Sequence, residues 1–361
     1  MSLTQRATAR VDLGAIAHNV RRLRGVAGVP VCAVVKADAY GHGAVPVAET
    51  VQRAGAAWLA VAAAREAAEL RAGGIQGRIL VLGALSPGES RIALEADADV
   101  VAWHPSLLDA GHPRVHVKLD SGMGRLGTRD ARAATQLAVR LAREGRLAGL
   151  MTHFATADDP DDAFLAEQLE RFRAWAAPLK SEHPSVVVHA ANSAATFREA
   201  RAAFDMVRPG VALYGMDPFG RDPAALDLRP ALELTSYVAT VKRMRPGEST
   251  GYGRRFVAQG PTTVGIVPIG YGDGWRRALS NNAEVLVRGR RLPLVGTVSM
   301  DNIAIDAGAH GGIEVGDEVV LLGERGGERL LAEEVARRLQ TINYEVTCGL
   351  LPRVPREHVG G

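Results

Sequence analysis

Short apolar runs recur along the chain at Val31–Val35, Trp58–Val61, Ile79–Leu82, Val100–Trp103, Val115–Leu119, Leu147–His153, Val186–His189 and Met206–Val207. The first is unbroken by any polar residue, the pattern of a strand buried on both faces. Most of the runs are separated by segments of helical spacing, such as Arg129–Glu144 with Leu137, Val139 and Leu141, and Asp162–Leu179 with Phe164, Leu165, Leu169, Phe172 and Trp175. Ahead of them, Ala7–Leu13 predicts a strand, and Asp12 opens a helix that carries Ile16, Val20 and Leu23. Eight strand candidates alternating with helices predict parallel strands joined by crossovers. An eight-stranded (β/α) barrel, a fold of roughly 250 residues, fits the span up to Pro230.

Beyond Leu228-Arg229-Pro230 the texture changes to alternating strands and Gly/Pro turns: Leu232–Val241, Thr262–Val267, Ala283–Val287, Leu292–Val298, Ile303–Asp306 and Glu318–Leu322, with one late helix near Leu331–Leu339. The expected architecture is therefore α/β, with a TIM-type barrel over residues 1–230 and a mostly antiparallel β domain over 231–361. The first ten or so residues are candidates for pairing with the β domain. No repeat of fixed period and no low-complexity linker interrupts this plan.

Composition adds limits. At 361 residues, 47% hydrophobic and 23% charged, the chain suits a soluble globular protein with one large and one smaller domain. The net charge is +3 and the basic residues are scattered, without the long stripe interleaved with aromatics that a nucleic-acid track requires. Cys32 and Cys348 make no disulfide framework, which fits a reducing cytosol. Met1–Leu13 has no apolar h-region and Ala54–Ala64 is too short to span a bilayer, so a cytoplasmic protein is expected.

Barrel enzymes carry their chemistry at the C-terminal ends of strands and in the loops that follow. The first strand delivers Lys36 and Tyr40; the fifth, Lys118, Asp120 and Arg125; the sixth, Thr152-His153-Phe154; the seventh, Asn192-Ser193; the eighth, Arg208-Pro209-Gly210. A lysine at the border of an apolar run is paired, reaches water, or is kept neutral for use as an amine. Ser193 with Gly210-Val211 makes a phosphate cradle in the loops where barrels often bind phosphate, although Asn-Ser alone also reads as a helix N-cap. A phosphate site beside a strand-end lysine points to pyridoxal phosphate, whose aldehyde forms a Schiff base with a lysine amine.

The motifs Val34-Val35-Lys36-Ala37-Asp38-Ala39-Tyr40-Gly41-His42-Gly43, Lys118-Leu119-Asp120-Ser121-Gly122-Met123-Gly124-Arg125-Leu126-Gly127, Thr152-His153-Phe154-Ala155, Asn192-Ser193 and Arg208-Pro209-Gly210 follow one another along the barrel. Gly251-Tyr252-Gly253, Gly270-Tyr271-Gly272-Asp273-Gly274, Ser299-Met300-Asp301 and Ile342-Asn343-Tyr344-Glu345 follow in the β domain. In this order the chain resembles the alanine racemases over nearly its whole length, from Thr8 to Val354.

The resemblance implies a fold-type III pyridoxal 5'-phosphate enzyme that interconverts L- and D-alanine and supplies D-alanine for the peptidoglycan cell wall. It further implies a head-to-tail homodimer whose active sites combine Lys36 of one subunit with Tyr252 and Met300 of the other. Lys36 and Tyr252 are implied as the two bases, on opposite faces of the substrate Cα, Lys36 serving the D- and Tyr252 the L-enantiomer. A phenol that titrates near ~10 in water needs electrostatic help to act as a base, and the family's histidine and arginine for this map to His153 and Arg208. Arg208 would face the pyridine nitrogen without giving up a proton, limiting delocalisation into the ring and so side reactions. Tyr40, Asn192, Ser193, Gly210, Val211 and Tyr344 map to cofactor contacts, Arg125 and Met300 to the substrate, and Tyr271 and Tyr344 to the access channel, with Asp301 nearby. Lys118 maps to a lysine often carbamylated in the family, which would let it hold Arg125. No metal site is implied.

Thr297 stands where many relatives carry arginine, two residues before Ser-Met-Asp. A metal-dependent barrel hydrolase would want a His-x-His pair at the end of the first strand, and the chain offers Gly41-His42-Gly43. A non-catalytic pyridoxal-phosphate carrier would need the barrel alone, without the domain that bears Tyr252. Racemases of serine, lysine or a broad range of amino acids, and the related decarboxylases, share the fold and differ by one or two pocket residues.

Overall fold

The structure, a computed structural model, describes residues 5–108 and 111–361. It divides into two compact units: one holds the described residues up to Ala15 together with Pro230–Gly361, the other holds Ile16–Arg229.

The chain opens with strand β1 (Thr8–Asp12), whose inward positions Ala9 and Val11 are buried, and turns directly into the helix Leu13–Ala27. The Asp12 carboxylate accepts a hydrogen bond from the Ala15 N–H at 3.0 Å, as expected of an opening aspartate. There follow β2 (Cys32–Val34), β3 (Trp58–Val61), β4 (Arg78–Val81), β5 (Asp99–Ala102), β6 (Val115–Lys118), β7 (Leu147–Met151) and β8 (Val187–His189), which pair in sequence order, all parallel. Helices follow most of these strands and include Ala44–Arg53, Ala64–Ala72, Pro87–Glu95, Ala131–Arg143 and Phe164–Glu182. The eighth apolar run, Met206–Val207, is too short to count as a strand. It nevertheless closes the ring, bridging His189 on one side and Val31 on the other. Backbone bonds from Cys32 N to Val207 O (2.8 Å) and from Val34 N to Pro209 O (3.0 Å) complete the closure. The expected barrel is present, and every strand end it needs lies in one ring.

In the other unit β1 lies between β9 (Leu232–Tyr237), antiparallel to it, and β19 (Arg356–Val359), parallel to it. The remaining strands are β10 (Thr240–Met244), β11 (Ser249–Thr250), β12 (Phe256–Val257), β13 (Thr262–Val267), β14 (Glu284–Val287), β15 (Arg290–Val295), β16 (Ile303–Asp306), β17 (Glu318–Arg325) and β18 (Glu328–Leu330). They form a sheet in the order β10-β13-β16-β15-β14-β17-β9-β1-β19, with β18 on β17 and with β11-β12 as a separate ladder. Its core holds Leu234, Trp275, Val285, Ile305, Val319 and Leu321. The single strand expected over Leu232–Val241 is two, because the chain changes partners in the middle: Val238 N bonds Asp317 O and Ala239 N bonds Ile266 O. The late helix spans Ala332–Leu339, and a second short one, Asn343–Cys348, follows it. Among the described residues no helix is long and apolar enough to cross a membrane.

Candidate active site

Lys36 follows the buried β2 and Val35 and itself lies half-buried at the end of the strand. The four residues after it, Ala37, Asp38, Ala39 and Tyr40, all have φ of 52–54° and form a left-handed turn. Each L-residue so placed costs roughly 1–2 kcal/mol, so the turn persists only because its surroundings over-determine it. The Ala37 N–H donates to Glu66 Oε1 at 2.6 Å, and the other oxygen of that carboxylate accepts from Ala62 N (2.7 Å) and Ala63 N (3.0 Å). The Asp38 carboxylate accepts from Ala44 N at 2.7 Å. The Tyr40 ring stacks on Tyr214 with centroids 4.9 Å apart, Tyr214 stacks on His42, and the Tyr214 hydroxyl donates to Val34 O at 2.9 Å. The strand-end lysine is thus presented from a tightly clamped turn.

At the end of β8, Asn192 is the N-cap of the helix Ser193–Arg198, accepting from Ala195 N at 2.9 Å. The capping role and the cradle therefore belong to different residues. Ser193 Oγ accepts from Gly210 N (2.9 Å) and Ala212 N (3.3 Å), so two backbone donors flanking Val211 converge on one hydroxyl. Gly210 is required by close approach, since a Cβ there would collide with Tyr40 Oη. Two convergent N–H groups, a serine hydroxyl and a tyrosine hydroxyl are the donors that a phosphate monoester takes.

Arg208 is buried, and its fork is spent on imidazoles and carbonyls. Nη1 donates to His189 Nδ1 at 2.7 Å; Nη2 donates to Thr152 O and Ala190 O, both at 2.9 Å, and to His153 Nδ1 at 3.3 Å. A guanidinium only donates, so His189 Nδ1 is the acceptor and its proton sits on Nε2. That Nε2 lies 2.8 Å from His116 Nδ1, and His116 Nε2 lies 3.1 Å from Asp99 Oδ2. One direction of donation therefore runs Arg208→His189→His116→Asp99. Asp99 also takes ion pairs from Arg78 and Arg114. Burial pushes the Asp99 carboxyl up, but hydrogen bonds from His116 and Arg78 outweigh it and hold the group at about 2. Burial lowers His116 despite Asp99, holds His189 well below its ordinary value with help from Arg208, and brings Arg208 down to about 10. Asp99, His116 and His189 escaped the sequence reading. Their only signal is polar residues inside Asp99-Val100-Val101, Val115-His116-Val117 and Val188-His189, runs otherwise built for burial.

The fifth and sixth strands add further cations. Lys118 is 5% exposed, and burial, then Arg208, Arg125 and Lys36, push its amine down to about 8. His153 is driven well below its ordinary value by desolvation and by Arg208, Lys118, Arg125 and Lys36. Asp120 holds the loop that leads to Arg125, accepting from Gly122 N and Gly124 N at 3.0 Å each and pairing with Arg129. Lys36, Lys118, Arg125, His153 and Arg208 thus lie within one another's fields, and a mouth with that bias attracts anions.

In the other unit, Tyr252 caps the tip between β11 and β12 and is 74% exposed. Its carbonyl accepts from Thr297 Oγ1 at 2.7 Å. Tyr271 and Met300 are also exposed and share a backbone register, with Tyr271 N bonded to Ser299 O and Gly272 N to Met300 O. Asp301 pairs with Arg353 at 2.7 Å. Tyr344 is half-buried in the short helix Asn343–Cys348.

Fold and site together define a barrel enzyme organised around a strand-end lysine, with a phosphate-type cradle against the turn that follows it and a buried arginine at the adjoining strand end. The family model "Alanine racemase, N-terminal domain" matches residues 11–218, and "Alanine racemase, C-terminal domain" matches 231–358. Alanine racemase 2 of Caldanaerobacter subterraneus subsp. tengcongensis is 41% identical over 97% of this chain and 94% of its own. The alanine racemase of Symbiobacterium thermophilum is 41% identical over 98% and 97%. The crystal structure of alanine racemase from Streptomyces lavendulae superposes with a TM-score of 0.92 at 40% identity, covering 99% of this chain and 98% of that one. The chain belongs to the alanine racemase family.

Proposed function

We propose that the chain interconverts L- and D-alanine with pyridoxal 5'-phosphate bound in the barrel. The observation that carries this reading is the convergence of Lys36, Lys118, Arg125, His153 and Arg208 on one mouth, beside the two backbone donors that meet Ser193. Lys36 would hold the aldehyde carbon, Ser193, Gly210, Val211 and Tyr40 the phosphate, and Arg208 the ring nitrogen, with Asn192 and Tyr344 completing the contacts. Once bound, the cofactor supplies an electron sink that makes the substrate Cα–H acidic.

The chain's own residues do the rest. Arg125 and Met300 hold the substrate carboxylate and Tyr271 lines its access. The Lys36 amine moves the proton on the face of Cα that belongs to D-alanine, and the Tyr252 hydroxyl moves it on the L-face. In this reading His153 and Arg208 serve the L-face beside Tyr252, with His153 Nδ1 accepting from Arg208. A Lys118 amine brought down to about 8 has a neutral fraction at pH 7, which carbon dioxide converts to a carbamate with release of a proton. The carbamate would replace a like charge beside Arg125 by an opposite one. As the family resemblance implies, the reading includes a homodimer with shared sites, in which Tyr252, exposed on its own unit, meets the Lys36 of a second copy.

Incubation of the protein and cofactor with L-alanine, followed by chiral chromatography, tests this. The ratio of enantiomers should approach ~1, since mirror images have equal free energy in water. Exchange of another enantiomer pair with no D-alanine formed would keep the racemase and overturn the substrate. Full activity in Lys36→Ala would overturn the mechanism.

A further inference from the structure

Tyr252 is 74% exposed on its unit, so its backbone, rather than packing around the ring, fixes where the phenol points. That backbone is weakly supported by its own ladder, which has two residue pairs, Ser249 opposite Val257 and Thr250 opposite Phe256. A ladder so short is marginal in water. The tip it carries also runs through left-handed conformations, with φ of 77° at Gly251, 70° at Gly253 and 48° at Arg254. Such a tip keeps one shape only if it is held from outside.

The segment Gly296-Thr297 holds it at both ends. Thr297, itself buried, donates from Oγ1 to the Tyr252 carbonyl at 2.7 Å. Asn281 accepts from Gly296 N and donates from Nδ2 to Arg255 O at 3.1 Å. A Cβ on Gly251 would stand 3.4 Å from Thr297 N, so the two stretches of backbone lie against each other at the residue before the tyrosine. Inside the tip, Arg254 Nε donates to Ser249 Oγ at 2.9 Å.

We propose that Thr297 is a positioning residue for Tyr252: its hydroxyl fixes the carbonyl of residue 252, and with it the line along which the phenol meets the substrate Cα. The inference rests on the reading of Tyr252 as the L-face base. Proton transfer needs the reacting atoms near contact distance, and slack of an ångström in the backbone of a base is costly to rate. Lys36 sits on the other unit and on a separately clamped turn, so loosening residue 297 leaves the D-face base untouched.

This separates the two half-reactions. Holoenzyme in deuterium oxide is followed by loss of the Cα proton signal, with L-alanine and D-alanine supplied in separate runs. In Thr297→Val, which keeps the shape and removes the donor, exchange from L-alanine should fall roughly tenfold, one hydrogen bond's worth of positioning. Exchange from D-alanine should change less than about twofold, and kcat/KM for racemisation should fall equally in both directions, as an equilibrium constant near ~1 demands. Thr297→Ser restores the hydroxyl and should restore L-face exchange.

Unchanged L-face exchange in Thr297→Val, an equal fall for both enantiomers, or no rescue by serine overturns the proposal. Tyr252→Phe is the control that separates the two claims. If it keeps L-face exchange, the assignment of the base falls and the positioning role with it. If it loses L-face exchange while Thr297→Val is silent, only the positioning role falls.

Discussion

Arg208 is a cation kept inside a barrel, and the carboxylate its hydrogen bonds lead to is Asp99, two imidazoles away. Each neutral histidine passes on the direction of donation, so Asp99 fixes the tautomers as well as offsetting charge. Asp99 is held at about 2, below its ordinary 3.8. A depressed carboxylate contributes stability above its unfolded value and loses it as pH falls through the folded one. Asp99→Asn should therefore cost roughly 2–3 kcal/mol at pH 7 and lessen the loss of stability between pH 4 and 2, measured by urea unfolding at both ends. His116, His153 and His189 are all depressed by burial, so the unfolded chain binds their protons first. Stability should begin to fall as pH drops below ~6.5. Lys118 is the same case moved to higher pH, a basic group whose charged form the fold already penalises at pH 7. Its drop from 10.5 to about 8 is a strain that Lys118→Met removes, so the apoprotein in buffer stripped of carbon dioxide should melt several degrees higher while racemisation falls.

At the scale of elements, the turn that carries Lys36 depends on a side chain from the first turn of the helix after β3. Glu66 takes the N–H that follows Lys36 and two N–H groups of the loop that enters its own helix. Glu66→Ala should cost about 2–4 kcal/mol by leaving three donors without their acceptor, and should weaken retention of the cofactor. Both are measurable, the first by denaturant titration and the second by dialysis followed by absorbance. The sequence announced the strand Val31–Val35 and its lysine, because burial leaves a pattern. It did not announce the left-handed turn, because Ala-Asp-Ala-Tyr has no local preference for that region and the clamp comes from a residue some thirty positions away. The relay was hidden for the same reason, since His116 and His189 become neighbours only when β6, β7 and β8 pair in register. Ser193, Gly210 and Arg208 were legible because each ends a strand or opens a loop, where a polar residue or a glycine stands out. Met206–Val207 was legible as an apolar run of the ring, although it is too short to be a strand and is held by two bridges and the backbone hydrogen bonds around them.

At the scale of the whole molecule, the proposed bases sit in different units, and the exposed Tyr252, Tyr271 and Met300 lie on the unit without Lys36. If a second copy supplies Tyr252, each site of the dimer draws Lys36 from one chain and Tyr252 from the other, and two inactive variants can repair each other. Lys36→Ala and Tyr252→Ala homodimers each carry two damaged sites. Dissociated, mixed in equal amounts and reassembled, half of the dimers are mixed. A mixed dimer has one site with both substitutions and one with neither, so about a quarter of the wild-type activity should return. The measurement is racemisation by the mixture against each variant alone, with exchange of subunits checked by mass-tagged chains. Exchange without recovery would mean that Lys36 and Tyr252 do not share a site across two copies. Recovery well above a quarter would mean that one variant had kept activity of its own, which the unmixed controls would show.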